Sequence, residues 1–341
     1  MSAIRQPFAC ICVPCYNNEA TIGETLQSLV KQNYSNFVIK VFDNASTDNS
    51  RAVVNQFKAQ YQNIELFTRE TTISGEENFN YCIQHAEGDY SAIFHSDDVY
   101  HPDMIARQVA FLELRPGCGA VSTHACVINE KSKFVGERFV PIELKSNTEH
   151  ELSDFDLSNL VFKYGNFITC PSVMFRTEIL KGHVKEFRGS DFKSSADLNV
   201  WLRVAEKASF GFINEPLINY RQSSASFSFN LSRVRIHDHD MFLVLDDYLE
   251  QLPEGVEKTR LKKSRDFLLM KDRANTNLNR LILGADDYQP LGVFSNFQQV
   301  VSSFFHAKYF FIALAVKLLI NTPYHKSIFV RFIKRVKFGN V

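Results

Sequence analysis

The sequence predicts an α/β fold in which a mainly parallel sheet carries helices on both faces. Three observations lead there. Short apolar runs alternate with segments of helical periodicity through the first hundred residues; the runs have the length of buried strands; and acidic residues stand where two of them end, at Asp43 and at Asp97-Asp98. Sheets of this kind bind ligands at the carboxyl ends of their strands, so the acids lie where chemistry is expected.

Phe8 to Val13 is the first strand, closed by Pro14, and Ala20 to Lys31 follows with Ile22, Leu26, Leu29 and Val30 at helical spacing. Phe37 to Phe42 is the second strand. Ser46 is expected to cap a helix reaching Gln60, and Ile64 to Phe67 is the third strand. A helix from Glu76 to His85 ends near Gly88, where a glycine suits a left-handed cap. Tyr90 to His95 is the fourth strand, and the adjacent carboxylates Asp97 and Asp98 follow it. Two such charges repel by roughly 4 kcal/mol at 4 Å and an effective dielectric of about 20, so the pair calls for a cation between itself and an anionic ligand. A metal-bridged diphosphate fits that requirement.

In their order, these residues resemble the family 2 glycosyltransferases with the GT-A fold, which move a sugar from a nucleotide diphosphate to an acceptor hydroxyl. Val13-Pro14-Cys15-Tyr16-Asn17-Asn18-Glu19 is similar to the family's opening strand and loop, and Asp43-Asn44-Ala45-Ser46-Thr47-Asp48 to its second loop. Asn80-Tyr81-Cys82-Ile83, Ala86-Glu87-Gly88-Asp89-Tyr90 and Ser96-Asp97-Asp98 follow in sequence, and the resemblance extends from residue 8 to about 222. It implies donor binding by Pro14, Tyr16, Glu19, Asp43, Asn44, Asp97 and Arg221, with Asp97 on the ribose and Asp98 on a divalent cation, Mn or Mg. Read directly, Asp43 can accept the imide hydrogen of a uracil or thymine ring and Tyr16 offers that base an aromatic face, while Ser46 is structural. Asp98 is expected as an exposed carboxylate that contributes little to packing.

The resemblance further implies an inverting displacement with an acidic base at the start of a helix, and Ala196-Asp197-Leu198-Asn199-Val200-Trp201-Leu202-Arg203 matches that pattern. The family often has Glu where Ala196 stands, which leaves Asp197 as the base. A carboxylate of ordinary pKa, about 3.9, is already ionised at neutral pH and needs no special environment to accept a proton. Asp191 lies nearby without the helical context. Glu215 to Arg221 resembles the closing strand, but Ser223 replaces a common His, so the third metal ligand is open; Phe79 replaces a common Arg, which shifts diphosphate neutralisation toward the metal and Arg221. His237-Asp238-His239-Asp240 reads as a solvated helix face rather than a metal cluster.

Residues 1–229 are the expected catalytic domain and 230–341 a helical extension, with helices from Ser232 to Leu252 and Val256 to Leu283. The formal charge is zero, with 38 basic and 38 acidic residues, but it is unevenly placed. Tyr288 to Val341 has no acid and seven basic residues, so residues 1–287 carry 31 minus 38, or minus seven. The same tail is rich in aromatics, including Phe304, Phe305, Tyr309, Phe310, Phe311, Phe329 and Phe332. Basic and aromatic residues together point to an anionic membrane surface met by interfacial helices, since His306, Lys308 and Lys317 interrupt Val300 to Ile320 as a span. Residues packed as the core and rim of a helical subdomain, or forming an oligomer contact, are the alternative.

No basic and apolar leader is read at the N-terminus, and the seven scattered cysteines behave as buried thiols, so a cytoplasmic enzyme on the inner face of the cell membrane is expected. Its partners are then a nucleotide sugar and a glycan or lipid-linked glycan, as in bacterial surface-polysaccharide assembly, with no nucleic acid. Two other classes compete. A sugar nucleotidyltransferase would need a glycine-rich basic loop, and Pro14 to Glu19 has neither glycine nor a basic residue. A non-catalytic nucleotide-sugar-binding scaffold is separated from an enzyme by turnover.

Overall fold

The computed structural model describes residues 6–222, 235–285, 287–293 and 304–321. They fall into two compact units, one running to residue 161 and resuming at 166–222, the other comprising 162–165 and the residues from 235 onward. The expected boundary at 229/230 lies outside the described residues, as does Ser223.

The first unit opens with β1 (Ala9–Cys15), α1 (Ile22–Leu29), β2 (Phe37–Asp43), α2 (Ser50–Gln60), β3 (Ile64–Thr68), α3 (Gly75–His85) and β4 (Tyr90–Ile93). β1 and β2 are apolar runs buried along almost their whole length, which is why they read so clearly as central strands of a parallel sheet. β5 (Val99–Tyr100), α4 (Met104–Glu113), β6 (Cys118–Ile128), β7 (Phe134–Glu137), β8 (Glu149–Leu152) and α5 (Asp154–Tyr164) follow, the last residues of α5 belonging to the second unit. β9 (Met174–Arg176), α6 (Thr177–Ile179), α7 (Gly189–Phe192), α8 (Ala196–Lys207) and β10 (Ser209–Arg221) complete it.

The sheet runs β3-β2-β1-β4-β9-β6-β10-β5, with β7 beside β6 and β8 beside β10. The expected parallel order holds across β3-β2-β1-β4. Beyond it β9 is antiparallel to both neighbours and β10 is again parallel to β6, so the second half is mixed. The helix after Glu76 is fixed by Ser74, whose hydroxyl accepts the Glu77 N–H while the Glu77 carboxylate accepts the Ser74 N–H. Gly88 is left-handed (φ 78°) as expected, but it lies past the helix end, in the turn into β4, where a Cβ would come within 2.6 Å of the Phe8 carbonyl oxygen.

The second unit contains α9 (Met241–Gln251), α10 (Val256–Leu283) and α11 (Phe304–Asn321). α10 has the expected bounds and ends on left-handed Gly284 (φ 77°). Its Phe267, Met270 and Ala274 form a core with Leu291, Val293 and, from α11, Phe310, Ala313 and Val316. The aromatic tail is therefore partly subdomain core. Phe311, Ile312 and Leu318 of the same helix remain exposed. No described helix is long and apolar enough to cross a membrane. Tyr324 and the basic residues Lys326, Arg331, Lys334, Arg335 and Lys337 lie outside the described residues.

The segment His237–Asp240 precedes α9 rather than lying in a helix, which corrects the expected solvated helix face. Asp238 pairs with Arg273 of α10 at 2.7 Å, and Asp272 pairs with Arg235 at 2.5 Å while accepting the His239 N–H. These acids fasten a loop to a helix.

Candidate active site

β1 and β2 are parallel with Cys15 opposite Asp43, so the loops that follow leave the sheet at the same edge. Pro14, opposite Phe42, ends the buried run and turns the chain into Tyr16, which is 48% exposed. The two loops are stitched together by their own side chains. The Asn17 N–H donates to Ser46 Oγ (3.0 Å) and Thr47 N–H to Asn17 Oδ1 (2.8 Å). Asn18 N–H donates to Ser50 Oγ (2.8 Å), and Asn49 N–H to Glu19 Oε2 (2.9 Å). Asn17 and Ala45 both hold positive φ within this lattice.

Three expectations change here. Ser46 is structural, but α2 begins at Ser50, and Ser46 joins the loops instead of capping the helix. The Glu19 carboxylate holds the start of α2. The buried Asn44 amide is engaged at both ends by Ile73, donating to its carbonyl (2.8 Å) and accepting its N–H (2.9 Å), so its side chain serves the loop scaffold in place of a donor contact. Asp43 differs. Its Oδ2 accepts from Arg51 Nε (2.5 Å) and the Ser46 N–H (3.2 Å), while its buried Oδ1 has no partner. The carboxylate is fixed through one oxygen and open at the other.

The segment after β4 carries the second group. Asp98 is fully buried, which corrects the expected exposed carboxylate. Its Oδ1 accepts the Arg221 N–H at 2.7 Å, and its Oδ2 has no hydrogen-bond partner and lies 3.9 Å from His95 Nδ1. Burial, reinforced by the Asp97 charge, pushes the Asp98 carboxyl well above the usual range against the pull of Arg221. His95 stands edge-on to Phe79 at 5.6 Å, its Nε2 is buried without a partner, and burial keeps its imidazole below the ordinary pKa and hence neutral at pH 7. One ligand atom each from His95, Asp97 and Asp98 lies within 4.8 Å of the others. A neutral imidazole and two carboxylates, with buried open atoms, fit a divalent cation. His95 was missed in the sequence, although the i, i+2 relation to Asp97 was available in an extended segment.

Arg221 takes a different role from diphosphate binding. It is 3% exposed, and its guanidinium donates to the Asp97 carbonyl (2.7 Å), the Asn129 carbonyl (3.0 Å), Ser132 Oγ (3.0 Å) and the Glu24 carboxylate (2.5 Å). It therefore locks the acidic segment to neighbouring loops and positions Asp98.

Asp197 lies in the first turn of α8, half-buried. Its Oδ1 accepts the Leu198 N–H (2.7 Å) and its Oδ2 the Asn166 amide (2.9 Å). Burial nevertheless outweighs these bonds and the nearby Arg138 charge, and the carboxyl is pushed up to about 6. The expectation of an ordinary carboxylate is thus corrected: Asp197 titrates close to neutrality, where a general base works best. Asp191 is exposed and paired with Arg188 at 2.8 Å. Asn166 and Arg138, both facing Asp197 electrostatically or by hydrogen bond, carry no local sequence signal that singles them out.

The family model described as "Glycosyl transferase family 2" matches residues 10–183. The putative glycosyltransferase EpsE of Bacillus subtilis (strain 168) is 28% identical over 223 residues, covering 65% of this chain and 75% of that protein. The UDP-Glc:alpha-D-GlcNAc-diphosphoundecaprenol beta-1,3-glucosyltransferase WfgD of Escherichia coli is 26% identical over 242 residues, covering 70% and 86%. Among solved structures, S. aureus TarS 1-349 in complex with UDP-GlcNAc superposes with a TM-score of 0.62 at 16% identity, covering 91% of this chain and 92% of that one, a likeness of fold.

Proposed function

The chain belongs to glycosyl transferase family 2, and we propose that it moves a sugar from a UDP or dTDP donor to a glycan hydroxyl with inversion at the anomeric carbon. The observation that carries this reading is Asp197: a carboxylate fixed by two hydrogen bonds and raised to about 6, in the same unit as a strand-end group of open acidic atoms.

Asp43 Oδ1 accepts the imide N–H of the base, and exposed Tyr16 stacks on its ring. His95, Asp97 and Asp98 would hold a divalent cation, Mn or Mg, which when bound offsets the negative charge of the diphosphate. Asp97 serves the ribose as well, at the edge of that group. Asp197 takes the proton of the acceptor hydroxyl; the oxygen forms its bond to the anomeric carbon as the carbon–oxygen bond to the diphosphate breaks on the opposite face and the leaving oxygen keeps the electron pair.

A lipid-linked glycan on the cytoplasmic face of the membrane, in bacterial surface-polysaccharide assembly, is the proposed acceptor. It is supported by the name of the E. coli relative and by the exposed apolar face of α11, followed in sequence by five basic residues. UDP is supported by the ligand of the superposed S. aureus structure. The test is calorimetry with a panel of UDP-, dTDP- and GDP-sugars in Mn²⁺, Mg²⁺ or chelator, followed by transfer to lipid-linked glycans. Cation-dependent binding of a pyrimidine donor with release of its diphosphate is expected. Binding without turnover on any acceptor would favour the scaffold reading, and full activity in excess chelator would remove the cation from the site.

A further inference from the structure

We infer that Arg138 is a phosphoanion-binding residue of this site, holding a substrate phosphate oxygen next to the Asp98–Arg221 segment; the inference rests on the transferase reading above.

Arg138 directly follows β7, and its backbone is clamped on β6 from both sides. Its N–H donates to the Ala125 carbonyl (2.9 Å), and its carbonyl meets His124 Nε2 at 3.0 Å. The guanidinium lies over the Tyr220 ring, 5.8 Å from its centroid, and Tyr220 immediately precedes the Arg221 N–H that holds Asp98. A rigid backbone therefore sets the guanidinium beside the end of β10, within electrostatic reach of Asp197.

Among the described residues the cation has no hydrogen-bonded protein anion, and Asp197 acts on it only through space. The side chain is half-buried, its Nε is buried without a hydrogen-bond partner, and among the described residues its guanidinium makes no ion pair. Two arginines of the site are committed, Arg51 to Asp43 and Arg221 to Glu24. A desolvated, unpaired guanidinium is unfavourable in the free protein, and a planar fork of N–H donors is well matched to two oxygens of a phosphate. Asp197, whose charge Arg138 feels, is the reacting base, so the ligand bound here lies close to the bond being made. A phosphate oxygen there could belong to the donor diphosphate or to a phosphate-bearing acceptor.

The test compares UDP with uridine, and a phosphate-bearing glycan acceptor with its dephosphorylated form, in the full chain and in Arg138→Gln. If the donor supplies the phosphate, UDP binding weakens about tenfold while uridine binding is unchanged. If the acceptor supplies it, UDP affinity holds and KM rises only for the phosphorylated acceptor. The proposal is overturned if all four ligands behave as in the parent and only the acid limb of the pH–rate profile moves to higher pH, because Arg138 would then act solely on Asp197. Should Arg138→Gln fail to fold, Arg138→Met keeps the apolar stem over Tyr220 without the charge, and the same comparison decides: equal affinities with the parent for every ligand overturn the proposal.

Discussion

Two sets of polar residues lie in the first unit, and they differ in what is left open. In the paired loops after β1 and β2, Asn17, Asn18, Glu19, Asn44, Ser46 and Asp48 bond to one another or to nearby backbone. In a second set the pattern reverses: Asp43 Oδ1, His95 Nε2, Asp98 Oδ2 and Arg138 Nε are buried without partners. Each buried unsatisfied group costs about 1–3 kcal/mol, so stability alone would not retain several of them in one unit. Motif membership does not make a ligand. We read the open atoms of Asp43, His95, Asp98 and Arg138 as the ligand-facing ones, and the closed set as the scaffold of the two loops.

The largest effect expected from this contrast is at Asp197. Asp197→Asn should retain UDP binding and lose about 10²- to 10⁴-fold in turnover, the range of a general base. The base must be unprotonated to act, so kcat/KM in the parent should rise through a pKa of about 6 and level off above it. The effect on stability has the opposite sign. The folded-state pKa lies above the reference value of 3.8, so folding favours the protonated form; ionised Asp197 opposes folding above pH 6 by up to about 3 kcal/mol, and the penalty disappears below about pH 4. Asp197→Asn should then melt no lower than the parent at pH 8 and lose any advantage as the pH falls toward 4. Unchanged turnover on an authentic acceptor would shift the base to Asp191 or another group.

A smaller effect separates neighbours across the open and closed sets. Asp43→Ala should weaken UDP and the whole donor by the same factor, roughly 10- to 100-fold, because both share the base contact. Asn44→Ala removes two hydrogen bonds to Ile73 and should cost about 1–3 kcal/mol of stability while UDP affinity in the folded protein stays within a few-fold. Thermal melting and calorimetry on both variants read the two effects separately. If Asn44→Ala loses affinity and Asp43→Ala does not, the division into scaffold and ligand residues is wrong.

What could be read in advance follows the same division. β1 to β4 were legible because each is a short, mostly apolar run and helices of regular spacing lie in the three connections between them. β5 has two residues and β9 three, too few to show a period, and β10 carries Asn214 and Glu215 at a break in its pairing with β6. Those strands come from tertiary pairing, which local pattern does not contain. For the candidate site, residue types and chain order singled out Asp43, Asp97, Asp98 and Asp197. The burial of Asp98, the engagement of Arg221 by Glu24 and the raised pKa of Asp197 depend on partners up to 197 residues away along the chain.

The smallest effect on catalysis, and the sharpest contrast within one element, is expected in α11. Phe310, Ala313 and Val316 are core residues of the second unit, whereas Phe311 and Leu318 are 62% and 61% exposed. Phe310→Ala should destabilise that unit by about 3–5 kcal/mol, as for a large buried side chain. Replacing Phe311 and Leu318 together by Ser removes mainly exposed apolar area along with the edge contact of Phe311 to Phe310, so melting should fall far less than for Phe310→Ala and turnover on a soluble acceptor should be unchanged. If the face meets a membrane, sedimentation with vesicles containing anionic lipid should fall several-fold, and the lost fraction should be the part that high salt does not abolish, since apolar burial is unscreened. Neutralising Lys326, Arg331, Lys334, Arg335 and Lys337 should remove the complementary, salt-sensitive part, each contributing about 1 kcal/mol near such a surface. A drop in sedimentation coefficient without any change in vesicle binding would instead make the exposed face of α11 a contact between protein chains.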